Sequence, residues 1–294
     1  MQNHGAEIEN EGVRDKLNLE RMLDSDYKKE RLKQIRCFVL DMDGTIYLGD
    51  KLFDFTPDFL DTVKSCGKDF IFFTNNSSKN AKAYLEKLKK MGIFVSADKM
   101  LISNHVIIKH IKENYPGKSA YVVGTPLLEE DFRLSGIRLA KEDADLVVLG
   151  FDTTLTYEKL VMACNLVRSG KPLLGVNPDF NCPVENGFIP DCGSMAALIR
   201  ASTGVTPEFF GKPSRHTLDY ILEKTDCKEE EVAVVGDRIY TDIALAYQTK
   251  ATSILVLTGE CSMEDISKNA AKPCLVCGSL AEITRLLLEI KNEK

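Results

Sequence analysis

From Arg36 onward, short runs of consecutive apolar residues alternate with longer stretches in which apolar positions recur at helical spacing. The short runs predict core strands over 37–40, 70–73, 100–103, 232–235 and 253–257. The periodic stretches predict helices over 56–66, 80–91, 105–114, 215–225, 239–248 and 280–290. Because these strands are continuous apolar runs and not alternating ones, they are expected to be covered on both faces. The pattern is that of an α/β fold, a doubly wound parallel sheet.

A second group of signals lies in the middle of the chain: strands over 121–123, 146–149 and 173–176, and helices near 156–168 and 194–201. The flanking segments complete a five-strand core without this group, so an inserted α/β domain is the better reading. The expected organisation is a core formed by 34–117 and 208–294, interrupted by an inserted domain at 118–207. Residues 1–33 are polar and acid-rich, with few apolar positions between Arg14 and Lys33. They read as an N-terminal extension, a loosely attached helix or tail without assigned chemistry.

Composition narrows the classes. With 294 residues, a hydrophobic fraction of 44% and a charged fraction of 28%, the chain is an ordinary globular sequence. Its net charge of -6 and its lack of a dense Lys/Arg cluster argue against nucleic acid as a partner and favour a small molecule. No run of 18 apolar residues and no charged start followed by an apolar stretch occurs, so neither a membrane span nor a signal peptide is expected. A cytoplasmic location follows as an expectation. Most of the nine cysteines sit singly in apolar runs, as Cys37 does, and read as buried thiols. Cys274 and Cys277 have metal-site spacing but no second cysteine pair or nearby histidine, so they read as part of a strand.

The strongest chemical signal is Asp41-Met42-Asp43-Gly44-Thr45, directly after the apolar run 37–40. Ligands of open α/β sheets bind beyond the carboxyl ends of strands, and residues two apart in extended chain face the same way. Two carboxylates are thus offered to one place, Gly44 permits a sharp turn, and Thr45 adds a hydroxyl. Paired acids repel, so such a pair implies a bound cation or proton-sharing acid/base work. A turn carrying solvated acids is the plainer alternative.

Three more strand ends carry signals. The run 70–73 leads into Thr74-Asn75-Asn76-Ser77-Ser78, short hydroxyls and amides before a helix, which suit an anion or an ordinary helix cap. Gly211-Lys212-Pro213-Ser214 puts a lysine at a helix start, against the helix dipole. Last, Gly236-Asp237-Arg238-Ile239-Tyr240-Thr241-Asp242 places two acids five residues apart at the end of another apolar strand. They supply the oxygen ligands that Mg²⁺ takes.

Together, in this order, these segments resemble the four motifs of the haloacid dehalogenase superfamily: Asp-x-Asp-Gly-Thr, a Thr or Ser after the second strand, a Lys, then Gly-Asp-x(4)-Asp. The resemblance runs from about residue 34 to the end. Gly150-Phe151-Asp152, Asn177-Pro178-Asp179, Gly187-Phe188-Ile189-Pro190 and Gly211-Lys212-Pro213 look like the NagD-like and para-nitrophenyl phosphatase branch, whose cap domain lies between the second and third motifs. One departure is visible. Where that branch usually has Pro-Gly-x-Gly, this chain has Pro190-Asp191-Cys192-Gly193.

The resemblance implies a phosphomonoester hydrolase in which Asp41 attacks phosphorus and becomes transiently phosphorylated, with Asp43 as general acid and base, its pKa raised by its neighbours. It implies Mg²⁺ held by the Asp41 carboxylate, the Asp43 main-chain carbonyl and Asp237, with Asp242 orienting these ligands. Thr74, the Asn75 amide and Lys212 would bind phosphoryl oxygens, and Asn181 and Cys182 would belong to a substrate-facing cap loop. A small phosphorylated metabolite is the expected partner, and a homodimer is compatible with the resemblance. The rivals are a dehalogenase or phosphotransferase of the same superfamily and a phosphoaspartate-forming signalling module. Asp43 argues against the dehalogenase, and the chain is over twice a receiver domain's size.

Overall fold

A computed structural model describes residues 19–184 and 187–293. Its strands, in chain order, are β1 (Cys37–Leu40), β2 (Tyr47–Leu48), β3 (Lys51–Leu52), β4 (Asp69–Thr74), β5 (Met100–Ile102), β6 (Ala120–Val123) and β7 (Leu146–Leu149). They continue as β8 (Leu173–Gly175), β9 (Asn181–Val184), β10 (Gly187–Pro190), β11 (Glu208–Phe209), β12 (Val232–Gly236), β13 (Thr252–Val256) and β14 (Leu275–Cys277). The chain divides into two compact units, one formed by residues up to Ile71 together with those from Thr225, the other by Phe72–Lys224. Among the described residues, no helix is long and apolar enough to cross a membrane.

In the first unit, β14, β13, β12 and β1 lie side by side and parallel, with Cys37 opposite Val232 and Leu40 opposite Val235. Every residue of β1, β12, β13 and β14 is buried, as the continuous apolar runs require. Helix Leu280–Asn292 packs against both Thr56–Ser65 and Ser25–Gln34. The edge strand β14 is not among the five expected, and it holds Cys277, with Cys274 immediately before it. Burial pushes the Cys277 thiol up to about 12, and no disulfide joins the cysteines among the described residues.

Two expectations need correction here. Helix Ser25–Gln34 is docked and not loosely attached: Leu32 is fully buried, Lys28 is buried against Glu282 at 2.6 Å, and Arg31 donates to Thr252 Oγ1 at 2.7 Å. Its sequence looked like a solvated tail because long cationic side chains cover the apolar surface with their stems. The rest of the expected extension, residues 1–18, lies outside the described residues. Second, the helix expected over 239–248 is a π turn, Ile239–Ile243, followed by one short α turn, Ala244–Ala246. Ile243 N–H bonds to the carbonyl of Arg238, five residues back, and the wider turn carries Asp242 toward the strand end.

In the second unit, the end of β4 pairs with β5, Thr74 opposite Ile102. A separate four-stranded parallel sheet runs in the order β11-β8-β7-β6, and β9 and β10 form an antiparallel hairpin. The core of this sheet is built from Val123, Val147, Leu149 and Leu173, with Ala163, Val167 and Ile199 from helices Tyr157–Arg168 and Cys192–Thr203. At the Pro190-Asp191-Cys192-Gly193 departure, Asp191 caps the second of these helices at φ −106°, a conformation any residue adopts. Gly193 is the position that tolerates no side chain, because a Cβ would lie 2.2 Å from the Pro178 carbonyl oxygen.

Candidate active site

In the first unit, three carboxylates meet. One oxygen each of Asp41, Asp237 and Asp242 lies within 4.8 Å of the others. The fold explains the convergence: Asp41 follows β1, Asp237 follows the neighbouring β12, and the π turn returns Asp242 to the same edge. The Asp41 N–H bonds to Val235 O at 2.9 Å, extending the ladder to the first of the acids. Beyond it the chain folds sharply. Met42 O accepts from Thr45 and Ile46, and Gly44 sits at φ +86° with its N–H bonded to Tyr47 O. Glycine is required there twice over, since a Cβ on Gly44 would lie 2.4 Å from Asp237 Oδ2.

Asp237 is the electrostatic focus of this cluster. Burial first, then the charges of Asp41 and Asp242, push its carboxyl up to about 8, opposed by Arg238 and by the Glu260 N–H. That N–H donates to Oδ2 at 2.7 Å, while Oδ1 is buried with no hydrogen-bond partner in the protein. Thr45 Oγ1 is likewise buried without one. An orphaned buried carboxylate oxygen beside two more acids is the donor set of a hard divalent cation. Asp41, Asp237 and Asp242 fit such an ion. The Asp43 carboxylate is not one of the three; its Oδ1 accepts from Gly49 N–H at 3.5 Å.

In the second unit, Thr74, Asn75 and Lys212 are all buried and lie together. The Asn75 side chain is committed to scaffolding: Oδ1 accepts from Lys212 N–H at 2.8 Å, and Nδ2 donates to Lys212 O at 2.8 Å and to both Asp179 oxygens at 3.3 and 3.2 Å. Its backbone N–H is therefore what it has to offer an anion. Lys212 Nζ donates to Phe73 O at 3.3 Å, and Gly211 leaves no room for a Cβ, which would lie 2.7 Å from Asn75 Oδ1. Thr74 Oγ1 accepts from Asn76 N–H at 3.2 Å, a local turn that presents backbone N–H groups. Asn181 and Cys182 are on strand β9 of the hairpin and not in a plain loop. Asn76 Nδ2 donates to Cys182 Sγ at 3.6 Å.

Two groups were missed by reading the sequence for motifs. Asp179 anchors Asn75, and its signal, a buried acid two residues after Asn177, was visible only within a family pattern. The segment after β13, Thr258-Gly259-Glu260, surrounds Asp237, and the rule that strand ends carry chemistry would have found it.

A family profile described as haloacid dehalogenase-like hydrolase matches residues 38–138, and a second, HAD-hydrolase-like profile matches residues 209–283. The chain is similar to the acid sugar phosphatase of Staphylococcus aureus, 34% identical over 243 residues, covering 82% of this chain and 94% of the relative. Among solved structures it resembles a 4-nitrophenylphosphatase from Thermotoga maritima, with a TM-score of 0.84 and 43% identity, covering 87% of this chain and 98% of that one. It also resembles a glycerol phosphate phosphatase from Mycobacterium tuberculosis, solved in complex with calcium, with a TM-score of 0.79 and 26% identity over 86% of this chain and 76% of that one.

Proposed function

The chain belongs to the haloacid dehalogenase-like hydrolases, in their NagD-like branch, and from that premise we propose that it is a magnesium-dependent phosphatase of small phosphorylated metabolites working through an aspartyl-phosphate on Asp41. The observation that carries the reading is the cluster of Asp41, Asp237 and Asp242 at two adjacent strand ends, with one buried carboxylate oxygen left unpartnered. Relatives named for sugar phosphate, nitrophenyl phosphate and glycerol phosphate support a small phosphomonoester as the substrate class.

In this reading an Asp41 oxygen attacks phosphorus in line, the P–O bond to the leaving group breaks, and Asp43 gives its proton to the departing alkoxide. Asp43 then takes a proton from water, whose oxygen attacks the acyl phosphate and releases inorganic phosphate with Asp41 restored. Mg²⁺, held by the Asp41 and Asp237 carboxylates and the Asp43 carbonyl with Asp242 beside them, would supply charge neutralisation at the transferring phosphoryl group. Thr74, the backbone N–H of Asn75 and Lys212 are assigned to the phosphoryl oxygens, donors fixed before the reaction begins. Residues 118–207 are assigned to an inserted cap, with Asn181 and Cys182 on its substrate-facing hairpin.

Acid quenching during turnover, followed by borohydride reduction and peptide mass spectrometry, tests the intermediate. Reduction of an acyl phosphate converts the aspartate to homoserine, and the account expects that product at position 41. Homoserine at another aspartate, or at none despite rapid turnover, would overturn the assignment.

A further inference from the structure

We infer that Glu260 is a positioning residue for Asp237, holding the segment 258–261 around that carboxylate so that Oδ1 alone is presented to a cation. The inference rests on the metal role proposed for the acid cluster and extends it to a residue outside the four motifs.

The segment leaves β13 and closes on the site by three bonds. Thr258 Oγ1 donates to the Gly44 carbonyl at 2.6 Å, Glu260 N–H donates to Asp237 Oδ2 at 2.7 Å, and Cys261 N–H donates to the Asp237 carbonyl at 3.2 Å. Close approach depends on Gly259, where a Cβ would lie 2.0 Å from Asp237 Oδ2. With Gly44 excluding a Cβ at 2.4 Å from the same atom, the carboxylate is held between two glycines. One oxygen is bonded, the other is buried and unbonded, and the group has little room to rotate.

What keeps the segment there is the Glu260 side chain. Its carboxylate pairs with Arg238 Nε at 3.0 Å and accepts from the Tyr240 hydroxyl at 2.8 Å. Both partners belong to the stretch that begins beside Asp237 and turns to deliver Asp242. The arginine and glutamate side chains keep only 14% and 34% of their exposure, so the pair is shielded more than an ordinary surface pair. Glu260 thus fastens the segment to the turn by one ion pair and one hydroxyl hydrogen bond, while its backbone N–H occupies Oδ2. Without that fastening the N–H is no longer fixed on Oδ2, and Asp237 must be ordered by the cation itself. Partners that orient metal ligands typically carry 10–100-fold in metal affinity.

The test is direct Mg²⁺ binding to the substrate-free protein by titration calorimetry, for wild type, Glu260→Ala, Glu260→Gln, Tyr240→Phe and Asp237→Asn. Glu260→Ala is expected to raise the Kd about tenfold, with turnover lost at low Mg²⁺ and recovered by raising it. Glu260→Gln, which keeps one acceptor oxygen, should fall between it and wild type, as should Tyr240→Phe, and these two carry the test if the alanine variant fails to fold. Glu260 variants that bind Mg²⁺ within twofold of wild type, while Asp237→Asn loses binding, would overturn the positioning role and leave the metal site standing. Undiminished binding by Asp237→Asn would instead overturn the metal reading on which the inference depends.

Discussion

Asp237 makes the stability of the protein depend on pH in a direction opposite to that of most acids, and removing divalent cations should reveal it. Its carboxyl, ordinarily near 3.8, is pushed up to about 8 by burial and by Asp41 and Asp242. Between those values the cation-free folded protein holds a proton that the unfolded chain has released. Stability conferred by that proton is present at low pH and is lost as pH rises. Four pH units at about 1.4 kcal/mol each set a ceiling of roughly 6 kcal/mol. In EDTA, the melting temperature should fall on the order of 10 °C between pH 5 and 8. Millimolar Mg²⁺ should remove most of that fall, because the ion replaces the proton. Asp237→Asn keeps an acceptor for the Glu260 N–H but carries no charge. In EDTA it should show a flatter profile and, at pH 8, exceed wild type by about 2 kcal/mol. Parallel wild-type and Asp237→Asn profiles in EDTA, with no effect of Mg²⁺ on either, would refute the reasoning.

Two further outcomes follow from the second unit. Burial first, then Lys224, lowers the His105 pKa from 6.5 to about 4, and its Nδ1 has no partner, so the unfolded chain binds a proton in that window that the folded chain does not. Acidification from pH 6.5 to 4 should therefore cost about 3 kcal/mol, a loss that His105→Phe removes in urea titrations across that range. Gly193→Ala must move backbone, since its Cβ would lie 2.2 Å from Pro178 O. A loss of roughly 2–3 kcal/mol is expected by denaturant unfolding, with weakened phosphate release because Pro178 adjoins the Asp179 that holds Asn75.

Strand ends explain how much was legible in advance. Val39-Leu40-Asp41 and Val235-Gly236-Asp237 were readable because apolar runs that stop at an acid mark both the sheet and its ligand-binding edge. Asp242 was read onto an α-helix, and spacing alone cannot tell an α turn from the π turn that carries it. The β9–β10 hairpin escaped notice because its strands are four residues long, carry Pro183 and Gly187, and lie mostly exposed, so no buried alternation marks them. The docking of Ser25–Gln34 was hidden by Lys28, whose burial depends on Glu282, 254 residues away in sequence. Glu260 lies just past β13, where the strand-end rule points to the segment but not to the residue. It reaches Asp237 through its backbone N–H, which every residue but proline possesses, so no residue type announces it.

The central claim is tested most directly by hydrolysis of para-nitrophenyl phosphate, with and without Mg²⁺, by wild type and by Asp41→Asn purified side by side and checked for deamidation. The account predicts turnover by wild type that requires Mg²⁺ and falls by at least about 10³-fold in the variant. Mg²⁺-dependent turnover by Asp41→Asn at the wild-type rate would contradict it.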